Sequence, residues 1–245
     1  LNKEIFLAGH SKWANIKHRK GRQDAIKGKL FTRLIREITV AARLAGADIN
    51  SNPRLRSAVE AANGANMPKE KIDRAIKKGS GGDETQNLEE IRYEGYSPGG
   101  AAIIVDCVTD NRNRTVADVR HAFSKAGGNL GTEGCVAFLF KKMGFLTVVD
   151  IEDEDVFLEK VLEIDIEDVQ KISEKSFGVT CAPESYFEVK DLLQESGIAL
   201  SDSEITLVPT QEKELKGKHQ EQTEKMIDLL EDVDDVQKIY TNAIF

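Results

Sequence analysis

The chain has 245 residues, 40% of them hydrophobic, enough for two or three domains with real cores. No apolar run approaches the roughly eighteen residues of a membrane helix, and the opening LNKEIFLA is too short for a secretory signal, so a cytoplasmic protein is expected. The formal charge of -8 is uneven: residues 1–82 carry 18 Lys and Arg against 7 Asp and Glu, whereas residues 150–245 carry 9 against 26, an asymmetry that points to a charged partner.

Residues 9–29, GHSKWANIKHRKGRQDAIKGK, concentrate seven cations around the only tryptophan. Few apolar residues interrupt this arm, so it is expected to order against a phosphate-rich partner. Trp13 would either stack on an unpaired base or anchor the arm to the domain that follows. From Asp24 to Ala45, Ile26, Leu30, Phe31, Leu34, Ile35, Ile38, Ala41, Ala42 and Ala45 recur at helical spacing, and Gly46 ends the pattern. Lys29, Arg33, Arg36 and Arg43 fall within an arc of about 80° on the opposite side. Arg22 joins them if the helix extends backwards, and Val40 interrupts the stripe. Asn52-Pro53 announces a second helix, and Met67-Pro68 a third that stops at Gly79. Three short helices make a small bundle.

GSGGDETQN (79–87) reads as a linker, after which the period changes. Ile91–Ser97 and Ala101–Thr109 are expected strands joined at Pro98-Gly99-Gly100. DNRNRT (110–115) leads into a helix, with Thr115 and Asp118 spaced as a capping box and Gly127-Gly128 as the stop. Beyond VAFLF (136–140) the pattern predicts strand 144–150, helix 153–164, strand 167–173, strand 177–182, helix 184–196 and strand 199–208, a split β-α-β module. A helix near 219–231 and a strand near 235–241 close the chain. IDIEDVQKI (164–172) and EDVDDVQKI (231–239) share six of nine residues, which suggests two modules of one type. The expected organisation is α+β, with a helical domain at 1–82, a discontinuous module at 83–133 and 210–245, and an inserted βαββαβ module at 134–209.

Little supports catalysis. His10, His18, His121 and His219 have no metal spacing, and Cys107, Cys135 and Cys181 form no CxxC, which fits a reducing compartment. Gly21 with Gly28-Lys29-Leu30 misses the P-loop spacing and its Ser or Thr. The acidic runs 152–155 and 231–235 lack the alternating ligands of a calcium loop and read as solvated helix boundaries. Gly128-Asn129-Leu130-Gly131 has the GXXG form of a backbone clamp, although a loop glycine explains it as well. No enzyme activity, cofactor, metal or small-molecule substrate is expected. Nucleic acid fits better, because Lys and Arg neutralise phosphates and release condensed cations. The candidate contacts are Lys12, Trp13, Lys17, Arg19, Lys20, Arg22, Lys29, Arg33, Arg36, Arg43, Arg112 and Arg114. For the last two, in the turn before a helix, helix capping and surface charge are equal alternatives.

AGHSKWANIKHRK (8–20), GKLFTRLIREITVAARLAGADINSNPRLR (28–56), NMPKEKIDRAIKKG (66–79), YEGYSPGG (93–100), TDNRNRTVADVRHAFSKAGGNLG (109–131) and VAFLF (136–140) resemble the YebC/PmpR family. The resemblance covers the first 140 residues closely; LNKEIFL departs from it, since members usually begin near Ala8. It implies an N-terminal helical domain and two ferredoxin-like α/β modules in a cytoplasmic protein without catalytic activity. It also implies a DNA-binding transcriptional regulator or, through relatives that act in translation, a ribosome-associated factor on rRNA that eases stalling at proline-rich stretches.

Overall fold

The computed structural model describes residues 23–81 and 88–245. The fold is α+β, and the described residues pack as two units, 23–81 and 88–137 with 215–241, and 138–214 with 242–245.

In the first unit, helix α1 (Gln23–Ala45) ends where Gly46 takes φ +89°, a conformation only glycine adopts without strain. Asn52 then joins two helices at once. Its side-chain oxygen accepts from Leu55 N (3.0 Å) to cap α2 (Pro53–Gly64), while its amide donates to the carbonyls of Ala41 (2.9 Å) and Gly46 (2.8 Å). Helix α3 (Lys69–Ser80) lies close on α1, because a Cβ on Gly79 would collide with the Thr39 carbonyl and the Ala42 side chain. Ile38, Ala41, Leu55, Ala62, Met67 and Ile72 fill the space between the three. The expected linker therefore begins two residues late, since Gly79 and Ser80 still belong to α3.

Strands β1 (Glu89–Tyr96) and β2 (Ala102–Thr109) form an antiparallel hairpin. Helix α4 (Arg112–Ala126) follows and returns the chain to β3 (Asn129–Leu130), which pairs with β1. The helix is capped by Asn111, which accepts from Arg114 N at 3.1 Å. The expected capping box at Thr115 is not used, since the buried Thr115 hydroxyl donates to Asp235 (2.8 Å) and lies 3.0 Å from the Asn111 carbonyl. Gly128 and Gly131 flank β3 because side chains there would strike the Tyr96 carbonyl and the Cys135 sulfur. That is the packing explanation of the GXXG pattern.

The second unit follows as β4 (Phe140–Val149), α5 (Glu154–Val161), β5 (Asp168–Ser173), β6 (Ser176–Cys181), α6 (Tyr186–Glu195) and β7 (Ala199–Pro209). Its sheet order is β5-β6-β4-β7, all antiparallel, which is the ferredoxin-like arrangement. Leu146, Val148, Phe157, Phe177, Tyr186 and Leu193 form its core. Asp153 caps α5 by accepting from Asp155 N and Val156 N, so the first acidic run is a helix boundary. A parallel pair, β8 (Lys213–Glu214) with β10 (Ala243–Ile244), belongs to the same unit.

Between these two short strands the chain returns to the first unit as α7 (Lys218–Glu231) and β9 (Val236–Thr241), and β9 pairs with β2. The finished sheet has the order β3-β1-β2-β9. Its spatial layout matches the other module, but the threading differs: here the two central strands come first as a hairpin. Ile103, Val105, Phe123, Met226, Leu230 and Val236 share the core under α4 and α7. The edge strands β5 and β9 are built from the two DVQKI sequences that suggested a repeat.

Candidate nucleic-acid interface

Three cations of the α1 stripe, Lys29, Arg33 and Arg36, reach toward the end of α7, while Arg43 stays exposed. Helix α7 ends at Glu231, leaving carbonyls without intrahelical donors and the negative end of a helix dipole. Lys29 Nζ meets Asp232 Oδ1 at 2.9 Å, Arg33 Nη2 donates to the Glu231 carbonyl at 2.6 Å, and Arg36 donates to the Asp234 carbonyl. Farther along, Arg43 donates to the Leu88 carbonyl. Val40, the apolar residue inside the stripe, is fully buried with Leu88 and Val108. The stripe therefore fastens the helical bundle to the α/β module within one unit.

Asp235 is the centre of this contact. Its side chain is only 2% exposed, and it pairs with Arg36 Nη2 (3.2 Å) and Arg114 Nη2 (2.8 Å). Thr109 Oγ1 (3.1 Å) and Thr115 Oγ1 (2.8 Å) donate to it as well. Burial pushes its pKa up, but the hydrogen bonds from Arg114, Thr115 and Thr109 outweigh burial and hold the carboxyl below its ordinary value. At Glu231 burial prevails over Arg33 and raises the pKa. Burial likewise lowers that of Arg33, against the pull of Glu231, Asp234 and Asp232. In the second acidic run Glu231, Asp232 and Asp234 stay exposed at the end of α7, as a helix boundary would, and Asp235 alone is a buried counter-charge. A cleft of about 640 Å³ opens beside it, bordered by Arg36, Arg114 and His121 together with Asp110, Asp118 and Asp234.

The candidate residues thus separate into groups. Lys29, Arg33 and Arg36 converge on residues 231–235, and Arg114 reaches Asp235 and Asp110. Arg43 stands apart at Leu88. Arg112 is exposed on the first turn of α4, and it has no ion pair among the described residues. Lys12, Trp13, Lys17, Arg19, Lys20 and Arg22 lie outside the described residues.

One group escaped sequence reasoning. On α3, Ile72, Ala75 and Gly79 are buried, and Lys71, Arg74 and Lys78 are exposed along one flank. At about 100° per residue these three cations occupy an arc of about 60°. None of them makes a hydrogen bond or ion pair with a described residue; Lys71 lies over the Phe31 ring at 5.3 Å. The signal was available in the i, i+3, i+7 spacing within KEKIDRAIKKG, beside the residues used to place the helix.

These features define a class: a two-unit α+β protein whose basic helical bundle is fastened to the outer of two α/β modules. The profile described as the TACO1/YebC protein N-terminal domain matches residues 11–82, and that of the TACO1/YebC second and third domain matches residues 88–243. The chain belongs to the TACO1/YebC family, as its motifs indicated. It is 56% identical over 238 residues to a probable transcriptional regulatory protein of Aromatoleum aromaticum, covering 97% of this chain and 99% of the relative. A protein of the same description from Francisella tularensis is 52% identical, with 98% and 96% covered. Among solved structures, the crystal structure of a conserved hypothetical protein, Aq1575, from Aquifex aeolicus superposes with a TM-score of 0.83 at 46% identity, covering 95% of this chain and 96% of that one.

Proposed function

We propose that the protein is a non-enzymatic, nucleic-acid-binding regulator of gene expression that works in the cytoplasm, with DNA as its target. One observation carries the reading: within segment 1–82, whose sequence has an excess of eleven positive charges, Lys71, Arg74 and Lys78 are exposed and make no ion pair with a described residue. Such a surface binds phosphate with little dependence on sequence. The names of the relatives, probable transcriptional regulatory proteins, support the regulatory part. The reading includes no chemical step. Burial holds the Cys107 thiol up at about 12 and that of Cys181 at about 11, so neither supplies a thiolate nucleophile at neutral pH. No helix among the described residues is long and apolar enough to cross a membrane.

A second reading, a translation factor on ribosomal RNA that eases proline-rich stalling, is favoured by the composition of α3. Its sequence KEKIDRAIKKGS contains no Asn or Gln, two of the residue types that read base edges in a duplex. Lysines on a helix grip a backbone, and folded RNA offers one as readily as DNA. Crosslinking in cells, followed by sequencing of the recovered nucleic acid, separates the two. Enrichment of promoter DNA supports the first. Recovery of ribosomal RNA, with co-sedimentation on ribosomes at moderate salt, replaces it with the second. Recovery of neither overturns both.

A further inference from the structure

We infer that the exposed ridge Lys71–Arg74–Lys78 of α3, and not Lys29, Arg33 and Arg36 of α1, is the phosphate-gripping face of the helical bundle. The inference rests on the nucleic-acid reading above and names the surface that would carry it.

A polyanion gains affinity from a protein cation only if that cation is not already neutralised, because the gain is the release of the polyanion's condensed counterions. Arg36 is held by the buried Asp235, and Arg33 by the carbonyl end of α7. Using Arg36 would uncover a buried carboxylate whose partners are arranged around it. The α3 ridge has no such debt. Glu70 and Asp73 flank the ridge on the same helix, yet no ion pair joins them to it. Seven residues of helix place the three cations along about 10 Å, a length matched to successive phosphates of one strand.

The ridge is also rigid. The missing side chain at Gly79 lets α3 touch the α1 backbone, and Thr39 Oγ1 lies 3.4 Å from the Ala75 carbonyl. Lys71 is further steered by its position over Phe31. A fixed ridge loses less entropy on binding than three lysines on a loose segment. The partner it fits is a phosphodiester backbone, in DNA or in RNA.

The test uses the full chain and two probes, a DNA duplex and an RNA duplex of equal length, with affinity measured across a salt series. Lys71→Ala, Arg74→Ala and Lys78→Ala together should leave the melting temperature unchanged and lower the slope of log K against log salt by up to about 2.7 on DNA, three contacts at 0.9 each. Lys71→Gln, Arg74→Gln and Lys78→Gln serve if the alanine variant folds poorly. The duplex that loses more slope identifies the source of the phosphate. A wild-type slope in both variants overturns the ridge while the nucleic-acid reading stands, particularly if Lys17→Ala, Arg19→Ala, Lys20→Ala and Arg22→Ala lower it instead. Failure of the unaltered protein to bind either duplex at low salt overturns both.

Discussion

A single residue, Val40, reveals which way α1 faces. In sequence it interrupts a run of arginines and looks like imperfect patterning. In the fold it is fully buried against Leu88 and Val108, and Arg36, one turn earlier, turns inward with it to Asp235. Val40→Arg, which would complete a solvated stripe, should instead place a charge in an apolar seam and cost several kcal/mol, measurable as a lower urea midpoint. Asp235 gives the complementary case. Removing its charge with Asp235→Asn leaves Arg36 and Arg114 without their carboxylate and should cost about 3 kcal/mol. The sign of the pH dependence follows from a folded-state pKa below the ordinary 3.8. The stabilisation is complete above that ordinary value and is lost as pH falls through the lower, folded one. The wild type should therefore lose stability in that acidic range, and Asp235→Asn should flatten this limb in pH-dependent urea melts. Asp235 was unreadable as a site because its five-residue acidic run has the composition of a surface loop.

At the scale of elements, periodicity located the helices and strands well because each buries one face. It was weaker where a choice between caps decided the boundary. Asn111 and Thr115 both suit a helix start, and the earlier one prevails because the Thr115 hydroxyl is committed to Asp235. Nor can periodicity tell a polar stripe in water from one seated on the end of another helix. The grip of α1 on α7 is graded along its length. The Lys29–Asp232 pair is exposed, 42% and 78% by side chain, whereas Arg36 works on a buried carboxylate. Lys29→Ala should cost no more than about 1 kcal/mol, an effect that salt screens away. Arg36→Ala should cost several times more and keep its effect in 0.5 M salt, a contrast chemical denaturation can measure.

At the scale of the molecule, charge asymmetry was legible and its use only partly so. The sums along the chain revealed a basic and an acidic end, and the candidate list took every arginine of α1 as outward-facing. The structure joins part of one end to part of the other, residues 29–36 to residues 231–235, and leaves the α3 ridge free. Only three-dimensional threading makes that division, since β9 must cross from the far end of the chain to pair with β2. A chain cut after Glu214 would lack α7 and β9, exposing Ile103, Val105 and Phe123 of the outer core. Its second unit would keep all four strands of its own sheet. Limited proteolysis of such a fragment should degrade residues 23–137 faster than 138–214. The same threading orders events during synthesis. Lys29 is separated from Asp232 by 203 residues, so at about 5–20 residues per second the α1 cations exist for roughly 10–40 s before their acidic partner has been made. Every newborn molecule thus passes through a stage in which its cationic helix is unclasped, and only the last stretch of translation shuts it.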